Sequence, residues 1–134
     1  MEFLSVNQNN CEYYFDYENY FKYLIEHKKF FSHDFLDKYI ENHYFHDYYT
    51  VSLKFDSYER KKNSTQLVLS PNYHLTKTIT LKYDSVERIE YFNNCAYLGN
   101  FLYSEFSFIN NLICHEILFD EGKLDIWFHK IKIQ

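Results

Sequence analysis

Hydrophobic positions in the first third of the chain repeat at helical spacing. Between residues 16 and 31, a helix would place five apolar side chains on one face: Tyr17, Tyr20, Phe21, Leu24 and Ile25. Asp16 is placed to cap this helix, and Ser32 to cap a second one that ends near residue 43. The second helix repeats the pattern in Phe35, Leu36, Tyr39 and Ile40. Both helices are too short to be stable alone, so we expect them to pack on another surface.

From residue 47 onward the spacing of hydrophobic positions changes to two. Four apolar residues alternate with polar ones and predict a strand with one buried face: Tyr49, Val51, Leu53 and Phe55. A charged turn and a shorter strand through Leu67 and Leu69 follow, and Pro71 ends that strand. A third strand is predicted over residues 79–83, and residues 86–91 extend the sheet or bend over its edge.

The C-terminal pattern is that of a hairpin. Residues 114–119 and 123–128 flank Asp120-Glu121-Gly122, where glycine is expected to take the positive φ of a three-residue loop. Ile131 and Ile133 then fall on the opposite parity, which predicts a bulge near His129.

These elements predict one α+β domain that spans residues 1–134. The helical part covers about residues 12–44 and the sheet part about residues 46–134. We expect two N-terminal helices packed on a mostly antiparallel sheet of five or six strands, connected as a meander and ending in the C-terminal hairpin. Residues 93–112 are rich in Phe and Tyr but follow neither period, so no element is assigned to them.

The composition is dominated by aromatic residues, with 15 Tyr, 14 Phe and 1 Trp beside 2 Gly and 1 Pro. Rings bury a large apolar area on few rotatable bonds, and a tyrosine hydroxyl can also face a partner. The tyrosine excess has two open explanations, a binding surface or the codon bias of an AT-rich genome.

Charge and length narrow the function classes. The net charge of −5 argues against binding to nucleic acid, which needs clustered Lys and Arg. No window reaches the roughly 20 apolar residues of a membrane helix, and the N-terminus lacks the basic start of a secretion signal. The cysteines Cys11, Cys95 and Cys114 are an odd number at wide spacings, which favours reduced thiols. We therefore expect a cytoplasmic protein.

Motifs for chemistry are few. Neither a glycine-rich phosphate loop nor a hydrolase or metalloprotease signature occurs, so we expect neither enzymatic activity nor a cofactor. His46-Asp47, with His43 nearby, is similar to a metal-binding His-Asp pair and is the basis of an alternative hypothesis, a small metal-dependent enzyme or metal-binding protein. Cys114-His115-Glu116 alternates across a strand, so these side chains cannot act together.

A mixed surface of tyrosines and carboxylates is the remaining functional signal. Tyrosine is favoured at the energetic centres of protein interfaces, and carboxylates attract a basic partner. Six residues in turns or on presumed polar faces are predicted to bind such a partner: Tyr48, Asp56, Tyr58, Tyr73, Tyr103 and Glu105.

From about residue 45, roughly two thirds of the chain resembles small bacterial immunity proteins of polymorphic and contact-dependent toxin systems. The resemblance rests on Phe45-His46-Asp47, on Ile79-Thr80-Leu81-Lys82-Tyr83 followed by Val86, and on the hairpin of residues 115–128. It implies a cytoplasmic, non-enzymatic protein that binds and blocks a cognate toxin, often a nuclease with a basic cleft.

Overall fold

A computed structural model describes residues 1–56, 63–71, 77–93 and 99–134. Of these residues, 53% lie in strands and 21% in helices. The helices are α1 (Tyr17–Glu26) and α2 (His33–Glu41), and single 3-10 turns follow them at Lys28–Phe30 and His43–Phe45. The strands are β1 (Leu4–Val6), β2 (Tyr13–Phe15), β3 (Tyr48–Asp56), β4 (Ser64–Ser70), β5 (Ile79–Asp84), β6 (Arg88–Asn93), β7 (Asn100–Ile109), β8 (Leu112–Phe119), β9 (Gly122–Phe128) and β10 (Lys130–Ile133).

The predicted fold, two helices on a sheet of five or six strands, is wrong. The described strands form an antiparallel sheet of eight strands, in the order β10-β5-β4-β3-β7-β8-β9-β6, and a separate two-stranded sheet of β1 and β2. Two additions account for much of the difference. The region without periodicity contains β7, a strand of 10 residues, and β10 follows the hairpin that was expected to end the chain.

The two ends of the large sheet are joined by the chain itself. One residue, His129, separates β9 from β10, although these strands lie near opposite ends of the strand order. β5 pairs with β10 and β6 pairs with β9, and the chain bends between β5 and β6 at Ser85, which has φ 56°. Hydrogen bonds from His129 N to Asp84 O and from Glu87 N to Trp127 O, of 3.3 and 2.8 Å, continue the pairing across the bend. The sheet therefore curls round its core, and the predicted bulge near His129 is a change of strand partner.

The predicted C-terminal hairpin is confirmed, but not the role of its glycine. β8 and β9 pair from Ile113↔Phe128 to Leu118↔Lys123. Gly122 starts β9 without a positive φ, and a Cβ there would collide with the Phe92 carbonyl oxygen of β6. Glycine is required at this position by the close approach of a neighbouring strand.

Both predicted helix caps are confirmed. The Asp16 carboxylate accepts a 3.2 Å hydrogen bond from Asn19 N, and Ser32 Oγ accepts one of 3.1 Å from Phe35 N. The single buried face expected for α1 is wrong, because only Tyr20 and Leu24 are buried, and Tyr23 packs half-buried against the core. Three residues at intervals of four stay exposed on the adjacent face: Tyr17, Phe21 and Ile25.

A buried polar cluster fastens the helices to the sheet. The Tyr39 hydroxyl lies 3.0 Å from the Tyr20 hydroxyl and 2.7 Å from Ser104 Oγ. Phe106 N on β7 donates a 2.9 Å hydrogen bond to the Tyr20 hydroxyl. Burial is the main cause that raises the pKa of both tyrosines, so both stay neutral. The two helices are thus held to β7 by hydrogen bonds as well as by ring packing.

The face predicted to be buried on β3 is largely exposed. β3 pairs with β7 only at Tyr48 and Tyr49, and its pairing with β4 shifts register between Thr50 and Ser52. Beyond this irregularity, Val51 and Phe55 are 39% and 50% exposed. The strand itself was predicted correctly, but its burial does not alternate with the predicted period of two.

Candidate functional site

The turn that joins α2 to β3 has an unusual backbone. His43, Tyr44 and Phe45 are consecutive residues with left-handed φ values of 52°, 58° and 59°, and Asp47 has φ 64°. Left-handed backbone costs roughly 1–2 kcal/mol for a residue with a bulky side chain, while Asp tolerates it better. Such a turn persists only where its surroundings enforce it, and strain of this kind concentrates at functional sites.

Contacts with the sheet hold this turn in place. Phe45 is fully buried, with its ring centroid 5.5 Å from that of Tyr39 and 5.3 Å from that of Tyr48. Asp47 N donates a 2.7 Å hydrogen bond to Phe101 O. His46 Nδ1 bonds to Leu102 O, beside the register shift of β7. The 43–47 turn is therefore anchored to β7 at both backbone and side chain.

An open cavity of about 380 Å³ lies between this turn and the start of α1. It is lined by Tyr17, Ile40, His43, Tyr44 and His46. The Tyr17 and Tyr44 rings stack with centroids 5.6 Å apart, and the His46 ring lies 4.8 Å from the Tyr103 ring. We call these five lining residues, with Asp47 and Tyr103, the tyrosine pocket.

The tyrosine pocket has acidic character. The Asp47 side chain is 66% exposed, and its Oδ2 lies 3.4 Å from His46 Nε2. Burial first, and then the neighbouring Tyr103, Tyr44 and Asp47, raise the pKa of the Tyr17 hydroxyl. Burial likewise raises the pKa of Tyr44, so these hydroxyls are neutral near pH 7. The five lining residues that the structure describes include neither Lys nor Arg.

The structure brings two of the six predicted partner-binding residues to this site. The Tyr103 ring lies tilted against the His46 ring, and Tyr48 packs on Phe45 while its hydroxyl donates a 2.9 Å hydrogen bond to Asn42 Oδ1. Asp56 lies at the far end of β3, where its carboxylate is 3.6 Å from Lys54 Nζ. Tyr58 and Tyr73 lie outside the described residues.

The expected exposure of Glu105 is wrong. Its side chain is 3% exposed, and Oε1 accepts hydrogen bonds of 2.9 and 2.7 Å from the backbone N–H groups of Glu2 and Phe3. Burial raises the pKa of Glu105, and the bonds to these two N–H groups oppose that rise. Glu105 therefore belongs to the packing of the N-terminal segment and is not available to a partner.

The alternative metal site gains no support from the geometry. No group of three His, Cys, Asp or Glu residues is arranged to hold a metal ion in the parts of the chain that the structure describes. His46 Nδ1 is already bonded to the Leu102 carbonyl oxygen of β7, 56 residues away in the chain.

The Cys114-His115-Glu116 run is divided between two faces, as predicted. His115 is fully buried, with Nδ1 2.7 Å from the Tyr83 hydroxyl and its ring stacked 3.9 Å from Phe106. Burial raises the pKa of the Cys114 thiol to about 12, which keeps it protonated and unreactive.

Sequence reasoning missed Tyr17 and Tyr44 as surface residues. The sequence did contain a signal for Tyr17: the apolar residues of α1 cover a wider part of the helix surface than a short helix can bury. Tyr20 and Leu24 form one column along the helix, while Tyr17, Phe21 and Ile25 form another, and a short helix on a curved sheet buries only one of them.

Comparisons with known proteins return no family: no family model and no curated protein sequence matches the chain. Within the described residues, none of the helices has the length and apolar content needed to cross a membrane.

Proposed function

We propose that this protein is an immunity-type protein that binds and neutralises a cognate bacterial toxin through an acidic, tyrosine-rich surface. The surface is centred on the tyrosine pocket. In this proposal the protein is cytoplasmic, acts without enzymatic chemistry, and blocks a basic toxin, with a nuclease as the toxin class whose substrate cleft best matches an acidic inhibitor.

The observation that carries the proposal is the grouping of tyrosine rings beside an exposed carboxylate on a strained turn. Tyr17 lies close enough to Tyr103, Tyr44 and Asp47 for each of them to raise the pKa of its hydroxyl, after the larger effect of burial. Aromatic residues supply interface area at low entropic cost, and a turn already fixed by the sheet loses little freedom on binding.

Neighbouring residues extend this surface with further exposed apolar side chains and further acidic residues. Tyr17 continues into the exposed column of Phe21 and Ile25, which are 43% and 40% exposed. Residues 16–47 hold seven Asp and Glu against four Lys. A surface of exposed rings within an acidic region matches a basic protein partner, since charge speeds the encounter and the rings supply affinity.

The test begins with the gene directly upstream, which we expect to encode the toxin, and measures protection of cells against that toxin domain. We expect co-expression of the wild-type protein to restore growth and the two proteins to co-purify. Tyr44→Ala should reduce protection and weaken the complex at least about tenfold, a typical loss of a central interface ring. Tyr91→Ala is the matched control, because Tyr91 is 43% exposed on β6.

Two outcomes would contradict the proposal. One is a toxin domain that neither binds the wild-type protein nor is blocked by it. The other is a purified protein that contains stoichiometric zinc or manganese, which would favour the alternative built on His43, His46 and Asp47.

A further inference from the structure

The hydrogen bonding of His46, which lines the cavity, leaves two acceptors close together. The Leu102 carbonyl oxygen can only accept, so His46 Nδ1 carries the proton of that bond. In a neutral imidazole, Nε2 is then an acceptor, and it lies 3.4 Å from the Asp47 carboxylate oxygen. A donor group placed beside the pair, within hydrogen-bond distance of each atom, would satisfy both.

The walls of the pocket favour a particular donor. Aromatic rings and one aliphatic side chain line it, which suits a weakly hydrated, planar cation better than a compact ammonium group. A guanidinium group offers several N–H donors in a fixed plane, so it can bond to two neighbouring acceptors while its face contacts a ring. The volume of about 380 Å³ lies within the usual range of ligand clefts.

We propose that the tyrosine pocket binds the guanidinium group of an arginine side chain. Asp47 Oδ2 and His46 Nε2 accept its hydrogen bonds, and Tyr17 and Tyr44 provide the aromatic wall. The assignment of this arginine to the toxin rests on the proposed function. The binding of a guanidinium group by the pocket does not depend on it.

The experiment uses small probes, so it requires no partner protein. N-acetyl-arginine methylamide is titrated into the wild-type protein at pH 7.5, and the ring signals of His46, Tyr17 and Tyr44 are followed by NMR. We expect saturable shifts with a dissociation constant on the order of millimolar, as for a single anchored side chain. The uncharged, isosteric citrulline derivative should bind at least about tenfold more weakly, and the lysine derivative should also be weaker.

Asp47→Asn is the informative variant, because Asn is tolerated at a left-handed φ and keeps the shape of the side chain. It should weaken the arginine probe at least about tenfold. Asp34→Asn is the matched control, since Asp34 lies at the opposite end of α2, roughly 10 Å along the helix axis from Glu41.

Three results would overturn this inference: no saturable shift with the arginine probe, citrulline or lysine probes that bind equally well, or an Asp47→Asn variant that binds unchanged. If any of these results is obtained while the protein still binds the toxin, the arginine site is refuted and the proposed function is not. Probe binding as expected, without toxin binding, would instead refute the proposed function alone.

Discussion

Two groups of tyrosines in this protein have opposite surroundings. Tyr20, Tyr39 and Tyr83 are fully buried, and each hydroxyl is bonded to a group of the core. The hydroxyls of Tyr17, Tyr44 and Tyr103 have no hydrogen-bond partner in the described parts of the chain, although their rings pack against one another and His46. Tyrosines whose hydroxyl is hydrogen-bonded within the core stabilise the fold, and tyrosines whose hydroxyl has no such partner are available to a ligand. The number of tyrosines alone does not distinguish the two groups.

The largest effect on stability is expected from removing the buried ring that holds the 43–47 turn, and with it Tyr44, against the sheet. Phe45→Ala deletes a fully buried ring beneath the strained turn. We expect a loss of about 3–5 kcal/mol in the free energy of unfolding, measured by urea denaturation, because a large cavity replaces the ring. Phe21→Ala, on the exposed column of α1, should cost less than about 1 kcal/mol. Equal losses for the two variants would contradict the assignment of Phe45 to the core.

A smaller substitution separates the two groups of hydroxyls directly. Tyr39→Phe removes the bridge between Tyr20 and Ser104 and leaves buried polar groups without a partner. We expect a loss of about 2 kcal/mol in urea denaturation. Tyr44→Phe should change stability by less than about 0.5 kcal/mol. A large effect of Tyr44→Phe would place its hydroxyl among the structural ones.

The buried histidine of the core, His115, should contribute to the pH dependence of stability. Burial lowers the pKa of His115 well below its ordinary value. The unfolded chain binds this proton near pH 6.5, whereas the folded chain does not, so stability is present above that pH and is lost below it. The loss is about 1 kcal/mol between pH 7 and 5.5.

The contribution of His115 is obtained as the difference between the wild-type protein and His115→Phe across that pH interval. If His115→Phe retains the wild-type pH dependence, titration of His115 does not control acid stability.

Signals between residues close in the sequence predicted the starts of the helices. Contacts between residues distant in the sequence determine strand β7, which was not predicted. Asp16 and Ser32 begin the helices as expected because a cap depends on residues three positions away. β7 could not be predicted in the same way. Its partners are β8, next in the chain, and the start of β3, about fifty residues earlier, and its Phe- and Tyr-rich sequence is buried on parts of both faces.

The site was only partly predictable for the same reason. Tyr48 and Tyr103 were identified as residues in turns or on presumed polar faces, but Glu105 was chosen on the same grounds and is covered by the N-terminal segment. The left-handed turn leaves little trace in composition, since Tyr44 and Phe45 are bulky residues that rarely adopt that conformation. Packing of Phe45 and bonding of His46 to β7 impose it.

The most direct test of the acidic, tyrosine-rich surface is the affinity of Asp47→Asn for the toxin domain, measured by calorimetry together with its free energy of unfolding. We predict at least about tenfold weaker binding, with stability within about 0.5 kcal/mol of the wild-type protein. Wild-type affinity in this variant would contradict the account, because the carboxylate at the centre of the surface would then contribute nothing to recognition.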